Sequence, residues 1–205
     1  MQLQRPLLTV TQSVDGDVLT VLAGAHAEFT PPEIHRLIGR WSEQGVRKSL
    51  LRLVRQGTVL SRGAGNAYLY QLNRDHLAAP AILELAALRA TFLERLRHTI
   101  SGWDPPPEFA ALFGSAARSE MTETSDIDIV VIRPSGLDAE HDSWVDQRAA
   151  LTSTASAWTG NDVRILELSM PEVHAGLSSG DPVVVDIVKH GTDLYGSLTD
   201  LKAKT

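Results

Sequence analysis

An α+β protein in two parts is what this sequence predicts. The front part is helical and closes with a β-hairpin. The back part is built on a small mixed sheet with helices on one face. Three observations predict this. Apolar residues recur at helical spacing up to Gln56. Two strand-like runs then flank Gly63-Ala64-Gly65-Asn66. Beyond Pro107, short β-branched and apolar runs alternate with helical stretches.

The elements follow in order. A first helix is expected over about Val14 to Ala23. Thr30 caps a second, with Pro31 in its first turn and Glu33 three residues on, as in a capping box. Ile34, Leu37 and Ile38 form its apolar face and Gly39 ends it. Ser42 caps a third helix, Glu43 to Gln56, with Val46, Leu50, Leu53 and Val54 inward and Gln44, Arg47, Lys48, Arg52 and Arg55 outward. Thr58 to Arg62 and Ala67 to Leu72 read as the two strands of the hairpin.

Leu85, Leu88, Phe92, Leu96 and Ile100 recur every three or four residues, which predicts one connecting helix from about Ala81 to Ser101. Gly102 to Pro107 stops it. Trp103 in that stop is either a structural lid or a base-stacking residue. Glu108 to Phe113 is the next strand, a short helix starts at Ala116, and Asp126 to Ile132 is a strand. Trp144 to Trp158 is helical, with Trp144, Ala149, Leu151, Thr152 and Ala155 near one face. Asp162 to Leu168 is a strand, Pro171 to Leu177 and Pro182 to Lys189 are short helices, and Leu194 to Gly196 ends the sheet. The domain boundaries expected are 1–78, a connecting helix over 79–102, and 103–205.

Composition bounds the function. Hydrophobic residues make up 43% of the 205, enough for a buried core. No run of about 18 apolar residues exists, which argues against a membrane span. The first residues lack the apolar centre of a signal peptide. Cys is absent, so disulfides, thiolate nucleophiles and Cys-based zinc sites are excluded. A cytoplasmic protein is expected. The net charge of −6 is unevenly shared: residues 1–80 carry 9 Lys+Arg against 6 Asp+Glu, and residues 81–205 carry 10 against 19. Two domains with different partners fit that asymmetry. The seven histidines show no metal-ligand spacing, and neither a Gly-x-Gly-x-x-Gly nor a Gly-x₄-Gly-Lys motif occurs.

Chemistry concentrates in Phe113-Gly114-Ser115-Ala116-Ala117-Arg118, followed by Ser125-Asp126-Ile127-Asp128. Gly114 has no Cβ, so backbone and ligand can approach closely. Ser115 adds a hydroxyl beside exposed amides, and a helix starting there would turn its positive end toward a phosphate. Asp126 and Asp128 are two apart on a strand and share a face. Two carboxylates opposite a phosphate cradle suit a hard divalent cation with a nucleotide.

Gly-Ser, then Arg, then Ser-Asp-x-Asp at this spacing resembles the signature of the nucleotidyltransferase superfamily that includes DNA polymerase β, most closely its minimal nucleotidyltransferase branch. The surrounding elements fit over roughly the last half of the chain. The resemblance implies an NTP substrate, with Asp126 and Asp128 holding two Mg²⁺ ions and Gly114 and Ser115 holding the β- and γ-phosphates. Arg118 is left with two roles, neutralising triphosphate charge or pairing with an acidic neighbour. The family carries a third Asp on the next strand. Arg164 stands in that place here, so Asp162, two residues earlier on the same strand face, is the candidate third carboxylate, with Glu167 on the opposite face.

The front part, in turn, is similar to a winged helix-turn-helix. In that fold the second helix of the motif enters the DNA major groove and the hairpin touches the backbone. The DNA-binding candidates are therefore Gln44, Arg47, Lys48, Arg52, Arg55 and, on the wing, Arg62. One such domain offers few phosphate contacts, so tight binding calls for a homodimer.

The leading expectation is a nucleotidyltransferase moving an NMP, for instance from ATP, to a protein hydroxyl or an RNA end. Relatives with this signature belong to toxin–antitoxin modules. The acidic back half favours a protein acceptor, the basic front half could grip RNA, and an acidic cleft would also suit a cationic drug such as an aminoglycoside. The alternatives are an NTP-sensing transcription regulator without turnover, favoured by Arg164, and an antitoxin that acts only by docking its partner.

Overall fold

The computed structural model describes residues 1–198. The chain divides into two compact units, Gln4–Arg89 together with Gln2, and Ala90 onward together with Met1 and Leu3.

The front unit holds α1 (Val14–Ala23), α2 (Pro31–Ile38), α3 (Glu43–Arg55), β1 (Val59–Ala64), β2 (Ala67–Leu72) and α4 (Ala79–Ala86). α1, α2 and α3 each start where a side chain engages the backbone of the first turn. Ser13 accepts from the Gly16 N–H, and Ser42 accepts from the Gly45 N–H at 3.1 Å. At α2 the Thr30 N–H and hydroxyl both donate to Glu33 Oε2, at 2.7 and 2.8 Å. Gly39, at φ +67°, ends that helix in the left-handed region. Val18, Leu22, Ile34, Val46, Leu50, Leu53, Val59 and Ile82 form the core. Leu37 does not join it and is 60% exposed. The hairpin is tighter than its sequence suggests. Ala64 pairs with Ala67, so Gly63 and Ala64 belong to the strand and Gly65-Asn66 alone make the turn.

The single helix expected over Ala81 to Ser101 is two, α4 and α5 (Leu88–Ser101). The apolar stripe serves two cores: Ile82 packs in the front unit, while Phe92, Leu93, Leu96 and Ile100 pack in the back unit.

The back unit continues with β3 (Phe109–Phe113), α6 (Gly114–Ala117), β4 (Ile127–Ile132), α7 (Asp142–Thr159), β5 (Val163–Leu168), α8 (Met170–Ser179), α9 (Pro182–His190) and β6 (Thr192–Tyr195). The sheet order is β5-β4-β3-β6. β4 and β5 run parallel and the other two pairings are antiparallel. Helices cover both faces rather than one. Ala110, Leu112, Ile127, Ile129 and Val131 pack with α5 and with Trp144, Leu151 and Ala155 of α7. Phe109, Ala111, Val130 and Ile132 pack on the other side with Val173 of α8 and with Val184 and Ile187 of α9. The cause is the near-continuous apolar run of β3 and β4, which has no polar side to leave in water. Ala149, expected near the buried face of α7, is exposed. Trp103 is buried and meets Trp144 edge to face at 5.4 Å, which makes it a core residue. α8 and α9 approach closely at Gly176, where a Cβ would lie 2.6 Å from Val184 Cγ2. No helix among the described residues is long and apolar enough to cross a membrane.

Candidate active site

β3 delivers the chain into Gly114, whose φ of +67° bends it sharply. Phe113 is the register partner of Asp128, so the bend arrives beside that carboxylate. The fit is close: a Cβ on Gly114 would stand 2.8 Å from Asp128 Oδ2. The Gly-Ser bend and the second Asp of the motif therefore meet in space, as the sequence pattern requires.

Asp126 immediately precedes β4 and Asp128 lies within it, on the same side as Val130 and Ile132. Burial first, and then the neighbouring charge of Asp126, push the Asp128 carboxyl up; Arg164 opposes them. Two like charges this close call for a cation. Arg164 supplies one from β5, where it is the register partner of Asp128, and its Nη1 lies 2.8 Å from Asp126 Oδ2.

Asp162 sits just before β5 with its side chain 74% exposed, and Arg164 Nη2 is 3.9 Å from it. What it gives the site directly is its backbone: the Asp162 carbonyl accepts from the Ile127 N–H at 2.8 Å. Buried Asn161 adds a second clamp, its Nδ2 donating to the Ser125 carbonyl at 2.9 Å. Both neighbours of Asp126 are thus fixed from the loop ahead of β5. No group of three His, Asp or Glu able to hold a metal occurs among the described residues. Glu167 is engaged elsewhere, in ion pairs with Arg133 and Arg148.

Of the candidate phosphate ligands, Ser115 is half-buried and its hydroxyl makes no hydrogen bond among the described residues. Gly114 and Arg118 converge on a residue the sequence reading missed, Asp186 of α9. The Gly114 N–H donates to Asp186 Oδ2 at 3.2 Å, Arg118 Nη1 lies 2.6 Å from Oδ1, and His190 Nδ1 lies 3.0 Å from the same oxygen. Arg118 also holds Glu120, at 2.9 Å. Burial pushes the Asp186 carboxyl up, but the His190 and Arg118 hydrogen bonds, the Arg118 charge and the Gly114 N–H together hold it below its ordinary value.

In the front unit Gln44, Arg47, Lys48, Arg52 and Arg55 all lie exposed on α3, and Arg62 is exposed on β1. Half of them carry internal partners: Arg47 pairs with Glu43, Arg52 with Asp15 and Arg62 with Glu28. Lys48 and Arg55 make no ion pair among the described residues, and both line a shallow groove of about 450 Å³ with Val14, Gly45 and Leu51.

Residues 95–177 match the family model described as Polymerase beta, Nucleotidyltransferase. No curated protein matches the chain. Among solved structures, the crystal structure of a toxin–antitoxin with AMP-PNP is 21% identical, covering 55% of this chain and 77% of its own, with a TM-score of 0.35. The crystal structure of a toxin–antitoxin MntA-HpeT mutant is 18% identical, covering 54% and 78%, with a TM-score of 0.37.

Proposed function

We propose that the back unit is a Mg²⁺-dependent nucleotidyltransferase that moves an NMP from an NTP, ATP in the first instance, to a hydroxyl acceptor on a protein or an RNA end. The observation that carries this reading is the Gly114 bend seated against Asp128, with Asp126 on the same side of β4. The carboxylate pair fits a hard cation: one member is half-buried, pushed up by burial and by its neighbour, and in need of positive charge. Asp126 and Asp128 would hold Mg²⁺, two ions in the full reading, which when bound neutralises triphosphate charge and activates the acceptor oxygen. Gly114 N–H, Ser115 and Arg118 would orient the β- and γ-phosphates. The acceptor oxygen then attacks the α-phosphorus, the bond to the β-phosphate oxygen breaks, and pyrophosphate leaves. Positioning and charge do most of the work in such transfers.

The front unit, in this reading, is a winged helix-turn-helix that places the enzyme on DNA through α3 and the hairpin, as an autoregulating member of a toxin–antitoxin module would require. The exposed Lys48 and Arg55 support that role.

One observation favours a second reading, an NTP sensor without turnover. Arg164 pairs with Asp126 where a third carboxylate would assist the acceptor hydroxyl. Incubation of the full chain with α-phosphate-labelled ATP, Mg²⁺ and candidate protein and RNA acceptors tests both. Transfer is expected, with Asp126→Asn and Asp128→Asn each lowering it at least about a hundredfold. ATP binding with no label on any acceptor selects the sensor; retained transfer in both variants removes the metal role.

A further inference from the structure

Three donors from two separate parts of the back unit meet at one carboxylate. They are the Gly114 N–H, the Arg118 guanidinium and the His190 ring, and the carboxylate is Asp186 on α9. Two of the three are the groups the nucleotide reading assigns to the triphosphate. A backbone N–H beside a guanidinium is a donor set that binds phosphate oxygens as readily as carboxylate oxygens. The place is also right, because Gly114 lies against Asp128, so an NTP whose metal sits on Asp126 and Asp128 must bring its phosphates to this bend.

Resting on the nucleotidyltransferase reading, we infer that Asp186 is an internal substitute for substrate phosphate. It holds Gly114, Arg118 and His190 in a preformed anion site, and it must withdraw when a nucleoside triphosphate binds. His190 thereby becomes a phosphate-facing residue in the nucleotide complex. Two features make the exchange feasible. Asp186 is held by polar contacts at its carboxylate, while α9 itself is anchored by Val184 and Ile187, which pack against Phe109, Ala111, Val130 and Ile132 of the sheet. The carboxylate and the arriving phosphates carry the same sign, so both cannot occupy the donors at once. Glu120, the other partner of Arg118, stays outside this competition, since it binds Nε rather than Nη1.

The test measures Mg·ATP affinity of the full chain by calorimetry, for the wild type and for Asp186→Asn. It also measures hydrogen–deuterium exchange of the wild type with and without Mg·ATP. The inference expects Asp186→Asn to bind ATP at least tenfold more tightly, because a competing charge is gone. It also expects faster amide exchange over residues 182–190 when ATP is added to the wild type. ATP binding of equal or lower affinity in the variant, together with unchanged exchange in α9, overturns the inference and leaves the nucleotide reading standing. If neither chain binds ATP, both are overturned. Should Asp186→Asn fail to fold, the exchange arm on the unaltered protein decides the matter alone.

Discussion

At Asp186 the charge network makes a prediction about acid. Its carboxyl is held below the ordinary value of 3.8, so the unfolded chain takes up its proton first as pH falls. Its contribution to stability is complete above that value and is lost as pH drops through the folded one. Asp128 works in the opposite sense, being pushed up in the folded state, so a bare pH curve mixes the two. The difference between wild type and Asp186→Asn isolates Asp186. Urea unfolding between about pH 5 and about pH 3 should show the wild type losing more stability than the variant; parallel curves would show that the Arg118 and His190 contacts add nothing in solution. The same residue marks where sequence reasoning stopped. Gly114, Ser115, Asp126 and Asp128 were legible because a short stretch of chain holds them all. Asp186 lies 72 residues beyond Gly114, on a helix whose sequence, Pro182 to His190, carries no motif. Only a histidine four residues after an aspartate hinted that one face of that helix is polar.

Among the elements, α9 owes its position to one small residue. Gly176 of α8 lets Val184 lie where a Cβ would clash at 2.6 Å. Gly176→Ala should therefore push α9 outward and cost about 1–3 kcal/mol by overpacking. A melting temperature equal to wild type would mean that α8 yields without strain. Helix starts were the most legible elements, since Thr30 and Ser42 act through neighbours three residues away. The break between α4 and α5 was not legible, for no Gly or Pro marks it; it comes from a division of labour between Ile82 and Phe92, which periodicity cannot display. Two-sided burial of the sheet was written in the unbroken Phe109–Leu112 and Ile129–Ile132 runs, though helices on only one face were expected.

For the molecule as a whole, the charge asymmetry of the sequence is softened once folded. Arg47, Arg52 and Arg62 already have carboxylate partners, so a phosphate would have to displace Glu43, Asp15 or Glu28. Lys48 and Arg55 carry no such debt. Fluorescence anisotropy with duplex DNA over a range of salt should show the Lys48→Ala, Arg55→Ala double variant flattening the salt slope by about 0.9 per charge removed. Arg47→Ala should flatten it less. Equal effects would show that the internal pairs dissolve on binding, and no effect from either would remove α3 from the DNA interface. The architecture of the back unit has a further consequence. With helices on both faces, the interior of the sheet is committed to cohesion, and substitutions there change how much protein survives rather than what it acts on. Substitutions that alter the site without loosening the scaffold are confined to the strand ends, chiefly the stretches 114–126 and 159–162, so a few positions at one edge of the sheet carry nearly all of its chemistry.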